Sequence, residues 1–461
     1  MMLGFIADLS ANASILLIVC LVAVCAFEAI NGFHDTANAV ATVIYTKTLP
    51  PVFAVVWSGV WNFIGAMFGG IAVAMGMIKL MPLNDMMTIP LNENIAMVLA
   101  ILFTAIAWNL GTWYFGIPCS SSHTMIGALL GGGFAYYSVH GGAGPNWDKA
   151  KDVGMSLLIS PLFGFALAIL LMFLLRATVK KKKTIFKAPD ETKKTPPTWI
   201  RAILVTTCTL VSYFHGNNDG QKGVGLLMVV LIAFMPMQFA LAPHFNPAGP
   251  RESVVKIEQS LNKAIVNDSL HLDPLVKECR KMTTQLDSFN AADKASVFGM
   301  RKAVQGFNKK MEAALKAETL KGEVATVAKA EVKKLKDVYE FRVTWAVILI
   351  SLCLGVGTMI GWKRIVVTIG EKIGKSHLTY AQGASAELCA AATIGVSSYY
   401  GLPVSTTHVL SSGIAGTMVA EGGVSNLRKK TITNIALAWL LTLPVTFIGA
   451  AIMFFVFRMF A

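Results

Sequence analysis

The chain has 461 residues, of which 54% are hydrophobic and only 14% charged, with a formal net charge of +14. A mean hydropathy of +0.59 is more than a soluble domain needs, so an all-α, polytopic membrane protein is expected. The positive charge gathers in short loops and one hydrophilic insert, as charge bias across a membrane requires, and nucleic acid is discounted as a partner. The seven cysteines (Cys20, Cys25, Cys119, Cys208, Cys279, Cys353 and Cys389) show no metal-ligand spacing, which excludes a zinc site and a disulfide framework.

No basic leader or cleavage site precedes the first apolar run, so residues 12–30 are read as a retained span. Runs long enough to cross a bilayer fall near 12–44, 52–78, 95–116, 118–139 and 154–176. A second set falls near 199–242, 342–362, 378–401, 403–422 and 431–459. That layout puts Lys47, the Lys180–Lys183 run with Lys187, Lys193 and Lys194, the Lys363–Lys375 stretch and Arg428–Lys430 on one side, which should be cytoplasmic. The loop 80–94 has Asp85 and Glu93 but no Lys or Arg, and both termini are then expected outside. The domain reading is a first membrane repeat over 1–176, a basic cytoplasmic linker over 177–198, and a second repeat over 199–242 and 342–461, interrupted by a helical insert over 243–341. Within that insert, Met311 to Leu335 is the clearest helical pattern, weakened by Gly322.

Two phrases recur. Gly32-Phe33-His34-Asp35-Thr36-Ala37-Asn38 is echoed by Gly216-Asn217-Asn218-Asp219-Gly220-Gln221-Lys222, and Gly116-Ile117-Pro118-Cys119-Ser120-Ser121-Ser122-His123 by Gly401-Leu402-Pro403-Val404-Ser405-Thr406-Thr407-His408. From Asp35 to Pro118 is 83 positions and from Asp219 to Pro403 is 184; the 99-residue insert accounts for nearly all the difference. Five runs per copy is an odd number, so the second copy is expected upside down, an inverted-topology repeat with broken or hairpin helices at the midplane.

An ionised carboxylate within hydrocarbon costs about 2.5–3.5 kcal/mol, and such acids mark functional sites. Gly32 and Gly216 are expected to break the helices that carry Asp35 and Asp219. Asp35 and Asp219 are assigned to a coupling cation or proton, because an acid is a poor host for an anion; Asn31, Glu28 and Glu387 are weaker candidates for that role. The triplets Ser120, Ser121, Ser122 and Ser405, Thr406, Thr407 follow a proline and read as half-helix N-termini, where free N–H groups and the positive dipole end make an anion site. Asn38, Asn218 and Lys222 join them as anion contacts, although Lys222 is equally suited to pairing with Asp219. His34, His123, His215 and His408 are possible proton relays, for which a satisfied hydrogen bond is the commoner fate, and Asn62 and Asn109 read as interhelical hydrogen-bond residues.

These duplicated phrases resemble the inorganic phosphate transporter (PiT) family, above all its bacterial low-affinity Pit branch, over both membrane halves. The resemblance implies phosphate held by the two hydroxyl triplets with the Asp35/Asn38 and Asn218/Asp219 regions, symport with a cation, and an often dimeric inverted-repeat fold in a bacterial inner membrane. It implies no bound cofactor and no covalent chemistry. Gln221-Lys222 departs from the family's Ala-Asn, which tells against sodium. The Pit branch carries a similar phrase and is proton-coupled, so proton symport is expected, with magnesium or another divalent cation as a possible companion of phosphate. The rival classes are a sodium-coupled symporter, a channel-type ion conductor, disfavoured by the buried acids, and a phosphate-ester enzyme, for which no catalytic spacing exists. An ATP-driven pump would need a phosphate-binding glycine loop that the chain lacks.

Overall fold

A computed structural model of the chain describes residues 9–179, 184–189, 195–268 and 272–460. The Lys180–Lys183 run, Lys193, Lys194 and the extreme termini lie outside the described residues. Among the described residues the architecture is helical, with no β-strand. In chain order the main helices are α1 (Ala11–Asp35), α2 (Ala37–Tyr45), α3 (Pro51–Phe68), α4 (Ala72–Ile78), α5 (Leu91–Tyr114), α6 (Ser121–His140), α7 (Trp147–Thr178) and α8 (Thr198–Phe234). There follow α9 (Ala248–Asp268), α10 (Asp273–Asp287), α11 (Lys294–Lys316) and α12 (Gly322–Lys336). The chain closes with α13 (Thr344–Thr358), α14 (Lys363–Glu371), α15 (Tyr380–Tyr399), α16 (Thr406–Gly422) and α17 (Lys429–Arg458).

Among the described residues, five stretches have the length and hydropathy to cross a bilayer: Ala11–Tyr45, Pro51–Phe68, Leu91–Tyr114, Trp147–Thr178 and Lys429–Arg458. A sixth is added if α13 and α14, bent by 65° at their break, count as one span. The remaining apolar runs become α6, α8, α15 and α16, the helices that carry the buried polar phrases. Polar residues in the middle of α8 lower its hydropathy while its length, 37 residues, stays ample.

The chain divides into two compact units, one of which takes Asn84–Ile89 with Leu231–Phe341 and so contains the insert. There α9 to α12 are amphipathic helices that pack on one another around Val254, Ile257, Leu261, Met282, Val304 and Leu335. The Met311–Leu335 pattern is two helices, because α11 stops at Lys316 and Gly322, with φ of 58°, opens α12.

The other unit holds the membrane helices. Its packing is reciprocal: α1 lies against α13 and α3 against α8, while α6 lies against α17 and α7 against α16. Each pair joins an element of one copy to an element of the other. Close approach depends on glycine. Gly65 of α3 sits against the Tyr213 backbone of α8, and Gly216 of α8 against the Asn62 backbone of α3, so that neither helix tolerates a Cβ there. This corrects the expectation for Gly216. The helix runs through it unbroken, and its role is contact. Gly32 likewise sits inside α1, and the break comes at Thr36, whose hydroxyl donates to the carbonyls of Gly32 (2.5 Å) and Thr358 (2.9 Å).

Candidate functional site

The duplicated Gly-x-Pro phrases fold alike. Gly116 (φ 65°) and Gly401 (φ 68°) adopt the left-handed conformation that ends the preceding helix, as only glycine does readily. The chain then passes through Pro118 or Pro403 and starts α6 or α16. Ser120 is the N-cap of α6, its oxygen accepting from the His123 N–H, and Ser405 is the N-cap of α16, accepting from the His408 N–H. Each of these oxygens accepts in its cap while its O–H proton can still donate, and Ser121, Ser122, Thr406 and Thr407 complete the two tips.

The two tips meet. Ser122 Oγ donates to the Val404 carbonyl at 2.9 Å, and the His123 and His408 rings lie 4.5 Å apart between centroids, with His408 also stacked on Trp439 at 3.9 Å. Against this junction come the polar phrases of α1, α2 and α8. Thr407 Oγ1 donates to Asp35 Oδ1 at 2.5 Å, Thr406 Oγ1 lies 3.5 Å from Asp35 Oδ2, and Asn38 Nδ2 donates to Thr407 Oγ1 at 3.0 Å. Although Thr36 interrupts the helix, Asp35 and Asn38 therefore converge on one hydroxyl.

On the opposite wall Lys222 Nζ reaches Asp219 Oδ1 at 2.7 Å, Ser122 Oγ at 2.6 Å and the Val404 carbonyl at 2.7 Å. Asn218 spans the second tip, its amide donating to Ser398 Oγ (2.8 Å) and the Leu402 carbonyl (3.3 Å) while its oxygen accepts from the Val404 N–H (3.3 Å). Asp35, Asp219 and Lys222 are each 3% exposed or less. Such burial is supportable because each charge has partners. The Ser121 hydroxyl is different: it is buried and, like the Asn38 side-chain carbonyl oxygen, has no hydrogen-bond partner among the described residues. A buried polar atom left unpaired is costly, and at a helix N-terminus it is a ready donor for a ligand.

Between the two acids stands His215. Its Nδ1 is fixed by Asn62 Oδ1 at 2.9 Å, and its Nε2 points between Asp35 Oδ2 (3.8 Å) and Asp219 Oδ2 (3.6 Å). One ligand atom from each of Asp35, His215 and Asp219 lies within 4.8 Å of the others, a set able to hold a cation. The sequence offers His215 as one of four relay candidates. The usable signal was its position four residues before Asp219 on one helix, which puts both side chains on the same face.

The weaker candidates differ in where they lie. Asn31 Nδ2 donates to Glu28 Oε1 at 3.3 Å and both are buried, but Glu28 is not remote: it lies against Gly223 of α8, next to Lys222, within electrostatic reach of Asp219, Lys222 and Asp35. Glu387 accepts hydrogen bonds from Thr42 and from Thr207 (2.5 Å) and makes none to the Asp35–Asp219 group among the described residues. His34 bridges Asp35 and Thr112. Asn62 links three helices, donating to Thr358 Oγ1 at 2.9 Å as well as holding His215. Asn109 does not act this way: its side-chain amide has no hydrogen-bond partner among the described residues.

Residues 31–450 match the phosphate transporter family. The chain belongs to that family. It is 38% identical to the low-affinity inorganic phosphate transporter PitA of Escherichia coli (strain K12), over 96% of this chain and 97% of the relative. It is 37% identical to PitB of the same strain, over the same shares. To a probable low-affinity inorganic phosphate transporter of Bacillus subtilis (strain 168) it is 30% identical, over 98% and 99%. Among solved structures it is similar to a sodium-dependent phosphate transporter, with a TM-score of 0.56 and 18% identity over 97% of this chain and 100% of that one, a likeness of fold. Within the phosphate transporter family this chain is an integral membrane protein with bacterial relatives, and phosphate is the family's transported substrate.

Proposed function

We propose that this chain is a secondary active importer of inorganic phosphate, driven by protons and working by alternating access without covalent chemistry. The observation that carries the reading is the wall of Lys222, Asp219, His215 and Asp35 against two apposed half-helix tips. Phosphate would sit at the tips, taking hydrogen bonds from Ser121, Ser122, Thr406 and Thr407, from backbone N–H groups and from the Lys222 ammonium. Lys222 supports proton coupling, because its ammonium already neutralises Asp219 and takes its Oδ1, leaving Oδ2 alone to face a cation. His215, aimed between two carboxylates, is suited to pass a proton between them.

A second reading has a specific basis: the Asp35, His215 and Asp219 ligand atoms also suit a metal cation, either sodium as driver or magnesium moving with phosphate. The membrane halves are taken as inverted repeats, in a bacterial inner membrane, with both termini outside and a homodimer as the working assembly. The reciprocal helix packing supports the repeat relation. Radiolabelled phosphate uptake into proteoliposomes, with pH, sodium and magnesium gradients imposed separately, tests the proposal. Uptake should follow the inward proton gradient; uptake that follows sodium and ignores pH would refute it.

A further inference from the structure

A second polar concavity lies away from the hairpin tips, where α5 ends and the bent pair α13–α14 turns. It is a groove of about 680 Å³. Trp113, Tyr114 and Phe115 form one side and Lys363, Arg364 and Lys372 the other; among the described residues that line it, none is acidic. Arg364 reaches across to the aromatic side: its guanidinium lies 5.0 Å over the Trp113 ring and 4.8 Å over Tyr114, and Nη1 donates to the Tyr114 carbonyl at 2.5 Å. No ion pair engages Lys363, Arg364 or Lys372 among the described residues, and the N-terminus of α14 has no side-chain cap.

Two properties define the ligand. Three cations with a helix N-terminus call for a phosphate-bearing anion. The rim is strongly apolar, with Tyr114 61% and Phe115 75% exposed, as aromatic side chains are at a membrane interface. The Lys363–Lys375 stretch also falls on the side that the charge bias makes cytoplasmic, where anionic lipid concentrates. We infer that this groove binds the headgroup of an anionic phospholipid, its acyl chains running down past Tyr114 and Phe115. The site is also tied to the transport machinery: Thr368 Oγ1 donates to the Gly116 carbonyl at 2.9 Å, and Trp113 Nε1 to the Gly361 carbonyl at 2.8 Å. Gly116 is the hinge from which the Ser120 tip departs, so lipid in the groove braces that hinge.

The test reads binding directly and does not depend on which ion drives transport. Purified full-length protein in mild detergent is titrated with phosphatidylglycerol, with phosphatidylcholine and with inorganic phosphate, and retained lipid is counted by native mass spectrometry. Phosphatidylglycerol should be retained in preference to phosphatidylcholine. The K363Q/R364Q/K372Q variant should lose about a hundredfold in that retention, at about fivefold per cation. Because Arg364 also pins the Tyr114 backbone, K363Q/K372Q serves as the variant that keeps the fold, with an expected loss of about 25-fold. Equal retention by K363Q/K372Q and the parent overturns the proposal. Displacement of the lipid by millimolar inorganic phosphate would assign the groove to the free anion and overturn it equally.

Discussion

Replacing Lys222 with Met is the sharpest probe of the site, because the structure puts most of its cost in one place. The ammonium is held by Asp219 Oδ1 (2.7 Å), Ser122 Oγ (2.6 Å) and the Val404 carbonyl (2.7 Å), and the residue is 2% exposed. Removing one partner of such a pair leaves a carboxylate buried without compensation, which costs about 3–5 kcal/mol, far more than an exposed pair is worth. Chemical unfolding in mixed micelles should therefore show Lys222→Met destabilised by about that amount. Asp219→Asn in the same chain removes the stranded charge, so the double variant should recover about 2–3 kcal/mol as a coupling energy in the double-mutant cycle. Phosphate affinity should stay weak in the double variant, since the ammonium is still missing. A Lys222→Met protein within about 1 kcal/mol of the parent, or a double variant equal to the simple sum of the two singles, would refute the buried-pair reasoning.

Other outcomes are expected. Asp35→Asn should abolish gradient-driven phosphate uptake while the protein still reaches the membrane in normal amount; unchanged proton-driven uptake would remove this acid from coupling. Ser121→Ala with Thr406→Ala removes two hydrogen bonds to a charged group, at about 1.5–3 kcal/mol each, and should raise the apparent KM for phosphate by about a hundredfold or more; an unchanged KM contradicts the anion site. Gly65→Ala pushes a methyl group into the Tyr213 backbone and should cost about 1–3 kcal/mol of stability, measured by thermal unfolding in detergent, with little effect on the KM of whatever folded protein remains.

Much of the site was legible because it was written twice. A lone Ser-Ser-Ser in an apolar run is ordinary membrane packing; two triplets behind Gly-x-Pro and before His point to paired helix starts, and Ser120 and Ser405 are the N-caps. Gly216 misled because glycine in a polar stretch suggests a break, whereas here it admits the neighbouring Asn62 backbone. Asn109 misled in another way: its type suits an interhelical bond, but among the described residues no hydrogen-bond partner reaches its side chain.

Composition, run length and the repeated phrases determined by themselves that the chain is helical and membrane-embedded, which residues are costly to bury, and where helices start at a proline and a serine. Those are local matters, set by hydropathy and by backbone preferences over a few residues. Which buried groups touch was decided by tertiary structure alone. Asp35 meets Thr407 across 372 positions and Lys222 meets Ser122 across 100. The close backbone approach allowed at Gly65 and Gly216 brings α8 against α3, and with it His215 onto Asn62 and in between the two acids. Pairings over such distances depend on how whole helices pack, which no short-range pattern encodes.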